Sequence, residues 1–194
     1  YFVPPGKGEQ ARLTYGRTPE MIEYFSKLLH YDYPYAKYSQ VTVPLFFFGG
    51  MENTSATTVT DLALLTPRAC VDQDLEGLIS HELAHQWFGD LLTCRSWKHI
   101  WLNEGFATFM NTVWLEKSKG REEYLYDIWT RYERVAENDP SDEARAAAET
   151  DLEVWEFGPF ALVDHKFPFE RSVVPTALVL ETCAVHIRNL RSSP

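Results

Sequence analysis

The sequence predicts an α+β fold, a small mixed sheet followed by helices, and three observations point to it. Val41-Thr42-Val43 and Leu45 to Phe48 are β-rich, with Pro44 between them marking an edge strand and Gly49-Gly50 closing it. Leu62 to Leu65, closed by Pro67, reads as a second strand. From Leu75 onward apolar residues recur at helical rather than alternating spacing.

Taken in order, Pro4-Pro5-Gly6-Lys7-Gly8 is turn chemistry, so residues 1–13 read as a linker. Thr18 is placed to cap a helix, Pro19 fits its first position, and Glu20 suits its positive end. Ile22, Phe25, Leu28 and Leu29 give that helix an apolar stripe. The tyrosine-rich stretch Tyr31 to Tyr38, around Pro34, reads as an ordered loop. Leu75 to Phe88 is apolar on most sides and is expected deep in the domain. Asn103 is placed to cap the next helix, which runs to about Lys119 and stops at Gly120. Phe106, Met110, Val113 and Trp114 form its inner face. Arg121 to Glu137 reads as a third helix, broken by Asp139-Pro140-Ser141, and Ala144 to Ala148 as an alanine-rich one. From Trp155 onward the periodicity is lost. The chain divides on this reading into a linker (1–13), one catalytic-sized domain (14–154) and a divergent segment (155–194) of that domain.

Composition narrows the function. With 45% apolar and 14% aromatic residues in 194, the chain has enough for a packed core, which excludes disorder. A net charge of −10 without any Lys/Arg-rich run argues against nucleic acid and anionic membranes as partners. Cys70, Cys94 and Cys183 lie too far apart for a C-x-x-C knuckle, and an odd number argues against a complete disulfide framework. The longest plain apolar run, Leu45 to Phe48, is far short of a membrane span. The opening Tyr1-Phe2-Val3-Pro4-Pro5 has neither an initiator methionine nor a basic leader, and reads as the middle of a longer chain. The compartment is therefore left open, the missing leader leaning toward the cytoplasm.

His81-Glu82-Leu83-Ala84-His85 is the strongest statement in the sequence. Residues four apart lie on nearly one helix face, so His81 and His85 can offer two imidazoles to one ion. Glu82 sits one step around, where it can meet a water on that ion without being a ligand, the geometry of H-E-x-x-H zinc peptidases. The bland alternative is two core histidines and a surface glutamate. A catalytic zinc needs a third protein ligand, and Glu104, 19 positions past His85 at the start of the next apolar helix, is the candidate. Its own bland alternative is a carboxylate favouring a helix's positive end. His99, His165 and His186 have no partner at ligand spacing and read as structural or surface residues.

His81-Glu82-x-x-His85, eighteen intervening residues, and Glu104 inside Trp101-Leu102-Asn103-Glu104-Gly105-Phe106-Ala107 resemble the aminopeptidase N family of gluzincin zinc peptidases. Gly49-Gly50-Met51-Glu52-Asn53 resembles that family's G-x-M-E-N exopeptidase motif, and His85-Gln86-Trp87-Phe88-Gly89-Asp90 also matches. The resemblance runs from about Thr14 to Ile128 and then fades. It implies a thermolysin-like catalytic domain between an N-terminal β-domain and a C-terminal helical domain. It also implies one Zn²⁺ held by His81, His85 and Glu104, with Glu82 as the catalytic base. The substrates implied are peptides with a free N-terminus, bound by Gly49, Gly50, Met51, Glu52 and Asn53. Glu52 would pair with the protonated α-amine, which an internal peptide segment lacks. Without the downstream motif, residues 49–53 would read as an ordinary turn after a strand.

One feature of the family is missing. No tyrosine follows Tyr132 to match its oxyanion-donating tyrosine, in a Tyr-x-Lys-Gly-like stretch, so either the enzyme is weakened or the segment from about Trp155 does not continue the family's chain. The nearest residue is Phe169, 65 positions past Glu104, which keeps the ring without the hydroxyl. Losing such a donor costs about a hundred- to a thousandfold in rate. Beside the zinc aminopeptidase stand two alternatives: a catalytically weakened, zinc-bound peptide-binding homologue, and a thermolysin-like endopeptidase.

Overall fold

The structure, a computed structural model, describes residues 1–137, with side chains described as far as Arg131. The expectations for Asp139-Pro140-Ser141, Ala144 to Ala148, His165, Phe169, Cys183, His186 and the whole segment from Trp155 lie outside the described residues. The elements run α1 (Gly8–Tyr15), α2 (Thr18–Leu29), β1 (Ser39–Val43), β2 (Gly50–Met51), β3 (Ala56–Thr60), α3 (Glu76–Ala84), α4 (Trp101–Lys119) and α5 (Arg121–Glu137).

The sheet is mixed, in the order β1-β3-β2. β1 runs parallel to β3, from Ser39 opposite Ala56 to Val43 opposite Thr60. β2 runs antiparallel to β3, Gly50 facing Val59 and Met51 facing Thr58. The strand at the centre is one that the sequence reading passes over. Ala56–Thr60 is threonine-rich, and its β-branched side chains favour an extended chain although their hydroxyls hide the apolar alternation. Thr57 and Val59 are nonetheless fully buried.

Two expected strands are replaced by turns. Leu45 to Phe48 does not extend β1: Leu45 takes a left-handed conformation (φ 57°) straight after Pro44 and is 95% exposed. The three phenylalanines that follow pack on one another, with Phe46–Phe48 ring centroids 6.0 Å apart and Phe47–Phe48 5.7 Å. Aromatic richness mimicked a strand signal there. Gly50 accordingly begins β2 rather than closing a strand. Leu62 to Leu65 is also no strand; Asp61–Ala63 forms one 3₁₀ turn, with Leu62 pointing to solvent.

The N-terminal segment is more than a linker. Pro4 and Lys7 close a turn, as expected, and α1 follows, burying Ala11 and Tyr15. Phe2 pairs beside β1, its N–H donating to Gln40 O (2.9 Å) and its carbonyl accepting from Thr42 N (2.8 Å). Two helix starts also shift. α2 has Arg17 at its cap, and the Thr18 hydroxyl instead donates to buried Gln40 Oε1 at 2.9 Å. α4 begins at Trp101, so Asn103 lies inside its first turn, where Oδ1 accepts from Cys94 N at 3.2 Å. Gly120 ends α4 with φ 100°, a conformation glycine adopts without steric cost, and α5 follows as predicted.

The core lies where α2, α3 and α4 meet the sheet. Phe25, Met21, Ile79, Leu83, Met110, Trp114 and Val59 are its buried members. Trp114 is fully buried, edge-on to Tyr24 (5.9 Å) and Phe25 (6.5 Å), and its indole N–H donates to Glu76 Oε2 at 2.9 Å. Arg17 stacks over the same indole at 4.7 Å and makes two hydrogen bonds to Glu76, at 2.8 and 2.9 Å. This ties the starts of α2 and α3 to the middle of α4, so that the ends of α3 and α4 carrying the motifs have a fixed relative placement. No helix among the described residues is long and apolar enough to cross a membrane.

Candidate metal centre and active site

α3 carries the histidine pair. Its single helical turn of separation stacks the two rings edge to face, with centroids 4.7 Å apart and an interplanar angle of 87°. Their Nε2 atoms approach to 3.1 Å. Glu104, in the first turn of α4, puts Oε2 3.4 Å from each Nε2. Among the described residues this is the group of three side chains able to hold a metal, and His99 takes no part in it.

The donor set fits a tetrahedral zinc. Ligand atoms about 2.0–2.1 Å from such an ion lie about 3.3 Å from one another. The three observed separations, 3.1, 3.4 and 3.4 Å, bracket that edge. His85 Nδ1 donates to the Phe88 carbonyl at 3.0 Å, so Nε2 is the nitrogen that carries the lone pair in the neutral ring.

Electrostatics favour a cation here. Burial opposes the charge on Glu104, but hydrogen bonds from His81 and His85 outweigh it and hold the carboxyl down at about 2. Burial likewise lowers His85, yet Glu104 reverses the effect and lifts the imidazole to about 9, while at His81 burial prevails and the shift is downward. Glu82 is 6% exposed, its Oε2 without a hydrogen-bond partner, and burial pushes its carboxyl up to about 8, helped by Glu52 and Glu104. A buried carboxyl oxygen without a partner is costly and clusters at functional sites. The Glu82 carboxylate lies against Gly50, where a Cβ would overlap it.

The 49–53 segment is brought beside this cluster. Gly49 O accepts from Thr60 N at 3.0 Å, and Asn53 Nδ2 donates to Thr58 Oγ1 at 2.9 Å, so both ends are fastened to β3. Met51 is exposed on β2, an edge of the sheet. Glu52 is near enough for its charge to raise Glu82, His85 and Asp90.

Gly89 follows directly, at φ 134°, and a Cβ there would sit 3.2 Å from His85 Nδ1. Gly89→Ala is therefore expected to turn the His85 ring and weaken zinc binding about tenfold to a hundredfold, measured by competition with a chelating dye. Sequence reasoning assigned no role to the rest of this turn. Adjacent to the motif, Gln86 is buried with its amide bonded to residues 52 and 55, and Asp90 is half-buried beside the same loop. Two polar residues flanking the apolar Trp87-Phe88 so close to the motif were the available signal.

The model of the peptidase family M1 domain matches residues 13–155. The chain belongs to peptidase family M1. The M1 match thus runs beyond Ile128, where the motif resemblance fades. A relative, probable aminopeptidase 2 of Sulfurisphaera tokodaii, is 38% identical over 110 residues, which are 55% of this chain and 14% of that protein. Aminopeptidase M1-C of Oryza sativa is 33% identical over 135 residues, 68% of this chain and 15% of that protein. The solved structure of native yeast LTA4 hydrolase superimposes with a TM-score of 0.55 at 25% identity, covering 64% of this chain and 19% of that one. The chain therefore spans a small part of the length of its relatives. The α+β, thermolysin-like architecture expected from the motifs is that of the M1 fold.

Proposed function

We propose that this M1 chain carries the catalytic centre of a zinc-dependent aminopeptidase that removes N-terminal residues from peptides. The observation that carries the reading is the convergence of His81, His85 and Glu104, with the partnerless carboxylate of Glu82 beside them. In it, His81 and His85 offer Nε2, and Glu104 offers a carboxylate oxygen, to one Zn²⁺. Zinc bound there supplies Lewis-acid polarisation of the scissile carbonyl and lowers the pKa of a water to about 7.

The chain's own residues do the rest. Glu82 takes a proton from the water that attacks the scissile carbonyl and delivers it to the departing nitrogen as the C–N bond breaks. Glu52 receives the protonated α-amine of the substrate, fixing the cleaved bond one residue from the end. β2, at the sheet edge, offers backbone groups of Gly50 and Met51 to the substrate main chain, with Gly49 and Asn53 holding that edge in place.

N-acetylation tests this reading because it removes the charge that Glu52 recognises. The zinc-loaded protein is expected to hydrolyse free-amine peptides at least about a hundredfold faster, in kcat/KM, than acetylated ones. Equal rates would support the endopeptidase alternative, and bound zinc without turnover the peptide-binding one.

A further inference from the structure

We propose that Gln86 is the positioning residue for the amine-binding carboxylate, coupling Glu52 directly to the zinc ligand His85. The proposal rests on the aminopeptidase reading above and names how this chain sets the register of its substrate.

Gln86 follows His85 in the chain and is 0% exposed. Its backbone stays with the end of α3, N–H donating to Leu83 O at 3.0 Å. Its side chain leaves the helix and serves the loop after β2. Nε2 donates to the backbone carbonyl of Glu52 at 3.1 Å, and Oε1 accepts from Ser55 N at 2.7 Å. The Tyr33 hydroxyl also points at Oε1, at 3.4 Å. The loop so held is a tight turn, Ala56 N donating to Asn53 O at 2.8 Å, with Ser55 left-handed at φ 61°. Asp90, four residues on, faces the same loop, its carboxyl close enough to Thr54 for that side chain to favour its charge. The Gln86 amide therefore grips residues 52–55 at two points, the Glu52 carbonyl and the Ser55 N–H.

The chemistry selects an amide. A backbone carbonyl only accepts and a backbone N–H only donates, so the bridging group must present one donor and one acceptor side by side. Glutamate at 86 would set an anionic oxygen against the Glu52 carbonyl, and methionine would leave both backbone groups unpaired. Because Gln86 hangs from the residue that ligates the metal, the distance between amine anchor and reacting bond passes through one peptide unit and one amide. Aminopeptidase register demands such a short linkage, since misplacement of about 1 Å costs on the order of a hundredfold.

The test compares full-length, zinc-loaded wild type with Gln86→Met and Gln86→Glu. Each is assayed for zinc content, for circular dichroism, and for hydrolysis of one peptide in free-amine and N-acetylated forms. The expected result is one zinc per chain and unchanged helicity. The free-amine substrate then loses about tenfold to a hundredfold in kcat/KM, chiefly through KM, while the slow acetylated reaction keeps its rate. A purely structural role predicts instead that both substrates fall together or that zinc is lost, and either outcome in both variants overturns the proposal, as does an unchanged ratio. Wild type is read first: if it shows no preference for the free amine, the assignment of Glu52 fails, and this proposal with it. A wild-type preference that survives both substitutions overturns the role of Gln86 alone.

Discussion

Exchange of Glu82 for glutamine is expected to leave one zinc per chain and to lower kcat by about 10²–10⁴-fold. Glutamine keeps the shape that fits between α3 and Gly50, so the histidines on either side of it keep their places. What it removes is the ability to accept a proton from the attacking water. The carboxylate is also the one buried polar group of the cluster with no protein partner for Oε2, so no internal hydrogen bond is broken by its loss. Steady-state kinetics with metal analysis on the same preparations check this. A variant that keeps full zinc and wild-type kcat would remove Glu82 from the chemistry.

Glu104→Ala is expected to have the second large effect, this time on the metal itself. Its Oε2 faces both imidazoles, and its place in the first turn of α4 lets the helix's positive end support the negative charge. Losing an outer partner of a zinc ligand already costs 10–100-fold in affinity, so losing a ligand should cost more than about a hundredfold. After dialysis against a mild chelator the variant should hold almost no zinc and show no turnover, with its helical circular dichroism kept. The fold survives because the core around Trp114 and Phe25 is built from other faces of α4 and α2. Retention of stoichiometric zinc by this variant would mean that another group ligates the ion.

The centre was legible because its parts are local. His81, Glu82 and His85 lie within two turns of one helix, and Glu104 lies at the beginning of the next apolar helix, so helical periodicity nearly determines their faces. Gly120 and the start of α5 at Arg121 were legible for the same reason. The sheet was less so. β3 is written in threonines whose burial depends on pairing with β1, and the exposed Leu45 to Phe48 turn carries the aromatic composition of a strand. α1 follows a glycine-rich opening and has only a short apolar face, which obscured it. Helix starts moved because Thr18 and Asn103 had tertiary partners, Gln40 and Cys94, that compete with capping. The grip of Gln86 on Glu52 was out of reach altogether, since it depends on how the turn after α3 meets the loop after β2, 34 residues away in the chain.

Anomalous diffraction at the zinc absorption edge, from crystals of the zinc-loaded protein, tests the metal centre most directly. The account predicts one strong peak about 2.0–2.2 Å from His81 Nε2, His85 Nε2 and a Glu104 oxygen, with Glu82 outside bonding distance. No peak between those three side chains, or a peak ligated by other residues, would contradict it.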